Sequence, residues 1–134
     1  MAAEPVRLVG ALLVRDTRLL LGLRHPDKRS CPSTWDLFGG HVDAGETFGA
    51  ALARELDEEL GVTPVRFGEA ASFPFEDGGE YRIYRVDAWS GGEPALRNRE
   101  HTALRWFTLA EAAALQPLAS ERYRDLFTLA LGSN

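Results

Sequence analysis

A glycine pair, Gly39–Gly40, stands directly before a stretch whose apolar residues recur at helical spacing: Phe48, Leu52, Leu56 and Leu60. The same stretch, Gly40 to Val62, carries Glu55, Glu58 and Glu59. Residues three and four apart are neighbours on a helix, so these carboxylates share one side of it. At roughly 100° per residue, the apolar positions span an arc of about 120°. Glu59 falls inside that arc, roughly 20° from Phe48, with Glu55 at its edge and Glu58 a little further round. Asp57 faces the opposite way, towards solvent. An ionised carboxylate on a core-facing stripe is costly unless something pairs with it, and three together repel one another. A hard divalent cation relieves both costs, since oxygen ligands suit Mg²⁺. The ordinary alternative is a solvated acidic face; the wheel position of Glu59 and the glycine pair argue against it.

Around this stretch the chain alternates strands and helices. Val6 to Val14 reads as a strand that is apolar on both faces, hence central. Asp16-Thr17 turns it, and Arg18 to Arg24 returns. Thr34 to Phe38 forms a short strand leading into a turn at the glycine pair. The helix is expected from Glu46 to Leu60, stopped by Gly61. Strands are expected over Val65 to Phe75, Glu80 to Trp89 and Ala103 to Phe107. Thr108 and Glu111 form a capping-box pattern that opens a short helix. Tyr123, Leu126, Phe127, Ala130 and Leu131 mark an amphipathic C-terminal helix whose apolar residues belong to the core. Strands mixed with helices predict an α/β fold, a mixed sheet sandwiched between helices.

At 134 residues the chain is long enough for one sizeable core, so a single domain over 1–134 is expected. The net charge of −5 argues against non-specific nucleic-acid binding. An anionic substrate must then be met by local positive charge, from a metal or a few arginines. The lone Cys31 allows no internal disulfide, which agrees with a reducing cytosol. No apolar run approaches a membrane span, and the N-terminus lacks a basic-then-apolar secretory pattern. A cytoplasmic location is expected.

The Gly40–Val62 stretch also resembles a named signature. Gly40, Glu46, Arg54, Glu55, Leu56, Glu58, Glu59, Gly61 and Val62 fill every fixed position of the Nudix box, G-x5-E-x7-R-E-U-x-E-E-x-G-U, where U is a bulky aliphatic residue. The resemblance implies a Nudix-like α/β/α sandwich and a Mg²⁺-dependent (or Mn²⁺-dependent) hydrolase. Such an enzyme cleaves the diphosphate of a nucleoside diphosphate linked to another moiety. It implies Glu55, Glu58, Glu59 and the Gly39 carbonyl as metal ligands. It also implies that Arg54 orients a box glutamate with support from Glu46.

The water-activating base is open between Glu58 or Glu59 of the box and Glu100, in the loop before the last strand, where the resemblance implies a catalytic or metal-binding glutamate. His101 is a further candidate because its ordinary pKa suits the task. Arg24, Gly40, His41 and Asn98 are candidates for substrate contact. Phe38 stands where many nucleotide-cleaving relatives carry proline, which alters the mouth of the pocket but not the metal site. Pro74 and Tyr81 only approach the pattern of ADP-ribose and dinucleoside-polyphosphate specialists, leaving nucleoside triphosphates or modified nucleotides favoured. The expected partner is thus a small nucleotide, with a homodimer left open. The rival readings are a non-catalytic nucleotide or ADP-ribose binding module on the same fold, and a prenyl-diphosphate isomerase.

Overall fold

The computed structural model describes residues 4–131; the first three and last three positions of the expected domain lie outside the described residues. The strands are β1 (Arg7–Arg15), β2 (Arg18–Arg24), β3 (Trp35–Asp36), β4 (Phe38–His41), β5 (Thr63–Pro74), β6 (Glu80–Ser90) and β7 (His101–Thr108). The helices are α1 (Phe48–Leu60), α2 (Leu109–Ala113) and α3 (Tyr123–Leu131).

The strand path is β3-β2-β1-β6-β5, with β4 added to β1 and β7 to β2. β1 runs parallel to β6 and antiparallel to β2 and β4, so the sheet is mixed. Its central position follows from its side chains. Leu12 and Val14 point into a core shared with Tyr123, Leu126 and Phe127 of α3. Val9, Ala11 and Leu13 point into a second core with Leu52, Leu56 and Leu60 of α1. Successive residues of a strand face opposite ways, so one apolar strand feeds both layers. The result is the expected α/β/α sandwich. No helix among the described residues is long and apolar enough to cross a membrane.

Three expectations need correcting near the site. The glycine pair is not a turn: Gly39 and Gly40 lie within β4, opposite Gly10 and Val9 of β1. Gly39 has φ +152°, and a Cβ there would stand 2.0 Å from the Val9 carbonyl oxygen, so any side chain would push the strands apart. Thr34 to Phe38 is likewise not one strand, because β3 pairs with β2 while β4 crosses to β1. The helix begins at Phe48 rather than Glu46. Thr47 is its N-cap, accepting from the Ala50 N–H at 3.1 Å. Gly61 ends it with φ +71°, as its sequence position predicts. Both halves of the Thr108–Glu111 capping box are present.

Candidate active site

α1 lies against β4, and this contact assembles the acidic centre. The wheel reading of the helix holds at the level of burial. Glu59 is 1% exposed, the Glu55 side chain 12% and the Glu58 side chain 54%. Gly40 makes room for the first of them, since a Cβ there would come within 2.6 Å of a Glu55 carboxylate oxygen.

Arg54 organises the surroundings. Its Nε and Nη2 donate to the two oxygens of Glu46 at 2.9 and 3.0 Å, a bidentate fork. Its Nη1 donates to Glu55 at 3.0 Å and more loosely to Glu58 at 3.4 Å. Nη2 also donates to the His41 carbonyl at 2.9 Å, tying the end of β4 to α1. The Arg54 fork holds the Glu46 carboxyl down to about 2, helped by the Asp43 N–H. Arg7 fastens the same loop from below, donating to the carbonyls of Asp43 and Glu46 at 3.1 Å each.

Ligand atoms of Glu55, Glu59 and Glu100 lie within 4.8 Å of one another. Glu100 comes from the segment before β7, so three carboxylates from two distant parts of the chain converge. Glu58 is not in this tight group; it sits at the rim on Arg54. Burial pushes the Glu59 carboxyl up to about 10, and the neighbouring Glu100 and Glu55 add to the shift. No well-formed hydrogen bond reaches either Glu59 oxygen, although the Gly39 N–H and the Glu100 carboxyl lie close to it. Burial also raises Glu55, against the pull of Arg54. Burial raises Glu100 too, but the Glu59 carboxyl and Lys28 more than offset it, and its net shift is downward. Lys28 Nζ donates to Glu100 at 3.1 Å. An unpartnered buried carboxyl among two others is an oxygen-donor set that fits a hard divalent cation.

A cavity of about 430 Å³ opens beside the cluster, its walls including Gly39, Gly40, Glu59 and Glu100 together with Arg24, Asp36 and Tyr81. Arg24 donates to Asp36 at 3.1 Å and to the Ser30 carbonyl at 3.0 Å. Tyr123 donates to Asp36 at 2.8 Å and shares a 3.0 Å hydrogen bond with Tyr81. His41 also borders the cavity. Asn98 does not: its side chain caps the Glu100 segment, accepting from the Glu100 N–H at 3.1 Å. A larger, shallower hollow of about 560 Å³ lies between Arg15, Arg66 and Arg85 and contains none of the box residues.

Lys28 and Tyr123 had no signal of their own in the sequence. Asp36 carried one faint sign, a carboxylate beside the apolar Leu37 and Phe38. Tyr123 counted as core, and it is 4% exposed, yet its hydroxyl reaches Asp36 at the cavity wall. Among the aromatics, Trp35 packs edge-on against Phe107 in the core, Tyr84 packs on Phe67, and Phe75 and Tyr81 border the cavity. His101 borders it as well, buried and with its pKa pushed by burial down to about 4. Cys31 lies at the cavity edge, exposed, with Sγ 3.6 Å from the Ala119 carbonyl oxygen.

Comparison with known proteins gives the same picture. The sequence model of the NUDIX domain matches residues 4–129. A Mycobacterium tuberculosis protein named "Putative 8-oxo-dGTP diphosphatase 2" is 42% identical over 109 residues, which is 78% of this chain and 74% of that protein. The CTP pyrophosphohydrolase of Escherichia coli is 35% identical over 116 residues, 85% of this chain and 83% of its own. A crystal structure of a MutT NUDIX hydrolase from Burkholderia pseudomallei superposes with TM-score 0.80 at 31% identity, over 95% of this chain and 98% of that one. With the complete box, the carboxylate cluster and these relatives in hand, the chain belongs to the NUDIX family and is a pyrophosphohydrolase.

Proposed function

We propose that this enzyme is a Mg²⁺-dependent hydrolase of nucleoside diphosphates linked to another moiety, with nucleoside triphosphates or their modified forms as the favoured substrates. The observation that carries the reading is Glu59: a carboxyl 1% exposed, with neither oxygen partnered, within ligand distance of Glu55 and Glu100. Glu55 and Glu59, with Glu58 at the rim and the Gly39 carbonyl, would hold Mg²⁺, with Mn²⁺ as a substitute. Bound there, the ion neutralises the diphosphate and acidifies a water.

The remaining steps belong to the chain's own groups. Glu100 takes the proton from the attacking water. It is the cluster member that belongs to a loop, and its side chain is 42% exposed. Arg54 and Glu46 fix Glu55 so that the cluster is preorganised. Arg24, Gly40 and His41 border the cavity in which the substrate lies, and Asn98 holds the Glu100 segment. The two named relatives act, by their names, on 8-oxo-dGTP and CTP, which supports triphosphates over nucleotide sugars. All residues invoked come from one copy, so a homodimer is not required, and a cytoplasmic location suits this substrate class.

The test is a panel of nucleoside triphosphates, ADP-ribose, nucleotide sugars and dinucleoside polyphosphates with Mg²⁺. Products are resolved by chromatography in ¹⁸O-water, which labels the phosphorus attacked. Release of nucleoside monophosphate and pyrophosphate from a triphosphate is expected. Tight binding without any product would replace hydrolysis with a binding module.

A further inference from the structure

We propose that His101 is a substrate-binding residue, its ring N–H donating to an oxygen of the diphosphate held at the carboxylate cluster. The assignment rests on the hydrolase reading above.

Buried side-chain polar atoms nearly always find a partner. Among the described residues two side chains break that rule, Glu59 and His101, and both border the same cavity. A cation answers for Glu59. It does not answer for His101, whose nitrogens lie outside the group of ligand atoms gathered within 4.8 Å. The histidine therefore needs a different partner, and it is 5% exposed, away from bulk water.

Its ring is held without hydrogen bonds. It packs against Phe38 at 4.7 Å between centroids, and a Cβ on Gly22 would stand 2.6 Å from its Cδ2 and 2.7 Å from the Phe38 ring. Gly22 thus leaves the space that the ring fills, and Phe38 closes it. A polar group fixed by apolar neighbours is preorganised for something that arrives later.

The nearby cations are already engaged. Lys28 is on Glu100, and Arg24 is on Asp36 and the Ser30 carbonyl. His101 follows Glu100 directly in the chain and pairs with Arg24 of β2, and all three border the cavity. A neutral imidazole offers one donor and one acceptor, whereas diphosphate oxygens only accept, so the contact runs from N–H to oxygen. A neutral donor also adds no repulsion towards a cation bound beside it.

Two measurements test this on the full chain. The first is calorimetric affinity for an α,β-imido nucleoside triphosphate with Mg²⁺, comparing wild type, His101→Asn and His101→Leu, with thermal midpoints as the folding control. His101→Leu should bind about 10- to 100-fold more weakly, the range for losing one donor to a charged acceptor, with its midpoint held. His101→Asn should fall between. The second uses wild type alone and so survives a variant that fails to fold. The His101 ring N–H should gain scalar coupling to ³¹P when the analogue is added. Affinity of His101→Leu within twofold of wild type, or ring signals unmoved at saturation, overturns the assignment and leaves the hydrolase reading intact. Failure of the wild type to bind or split any nucleotide overturns both.

Discussion

Arg54 and Glu46 meet through two parallel hydrogen bonds, at 2.9 and 3.0 Å, across the gap between the 43–46 loop and α1. The same guanidinium reaches Glu55 at 3.0 Å. One side chain therefore couples a loop carboxylate to a member of the cluster. The Glu46 side chain is 16% exposed and that of Arg54 29%, so solvent does not screen the pair as it would on an open surface. Lysine in place of Arg54 would keep the charge and lose the fork. Arg54→Lys and Glu46→Gln should each raise the Mg²⁺ concentration for half-maximal activity about 10- to 100-fold, the usual cost of losing support behind a metal ligand. A metal titration of kcat at saturating nucleotide reads this directly; unchanged half-saturation in both variants would remove the orienting role.

Glu59 makes a pH-dependent prediction. Its carboxyl is raised to about 10 by burial, with Glu100 and Glu55 adding to it, against about 4.5 in the unfolded chain. A raised carboxyl favours the fold while protonated. That contribution is full below about pH 4.5 and drains away as pH rises towards 10. In EDTA the thermal midpoint of wild type should fall relative to Glu59→Gln between pH 5 and 9. Mg²⁺ should restore wild type increasingly as pH rises, by about 2.7 kcal/mol at a hundred times its Kd, and should do little for the glutamine variant. The same variant should lose 10²- to 10⁴-fold in kcat. Parallel wild-type and variant midpoints across that range would show that Glu59 is not a buried, uncompensated acid.

Much of this was legible in the chain because local periodicity carries it. The Glu59 position follows from helical spacing alone, and the two-faced burial of β1 follows from its unbroken apolar run. The geometry of Gly39–Gly40 was not legible, since a glycine pair reads as a turn until its partner strand is known. Here β1 runs so close that the Val9 carbonyl excludes a side chain. Glu100 joining Glu59 was legible only by resemblance, because nothing local brings a loop before β7 onto α1. Asp36, Lys28 and Tyr123 were hidden for the same reason. Each is ordinary in its own segment and becomes part of the cavity wall through contacts far apart in sequence, such as Tyr123 to Asp36.

Gly40 offers a steric test of the cluster. An alanine Cβ there would lie 2.6 Å from one Glu55 oxygen and 2.8 Å from its carboxyl carbon. The obstacle is the end of a flexible side chain, so the fold should survive while Glu55 swings aside. Gly40→Ala should weaken activation by Mg²⁺ about 10-fold or more, with the thermal midpoint in EDTA nearly unchanged. Full activation at the wild-type metal concentration would mean that Glu55 is not needed where it stands.

Tyr123 should link fold stability to substrate affinity. Its hydroxyl donates to Asp36 at 2.8 Å, the Leu37 N–H donates to the same Asp36 oxygen, and Arg24 holds the other. Asp36 is raised by burial, against the pull of Tyr123 and Arg24. Tyr123→Phe removes one donor without opening a cavity and leaves the Tyr81 hydroxyl without its 3.0 Å partner. The expected cost in urea denaturation is about 1–3 kcal/mol. Because Asp36 and Arg24 border the cavity without belonging to the carboxylate cluster, KM should rise while kcat stays within about threefold, an effect on binding rather than on the chemical step. A fall in kcat with KM unchanged would place Tyr123 in the reaction instead.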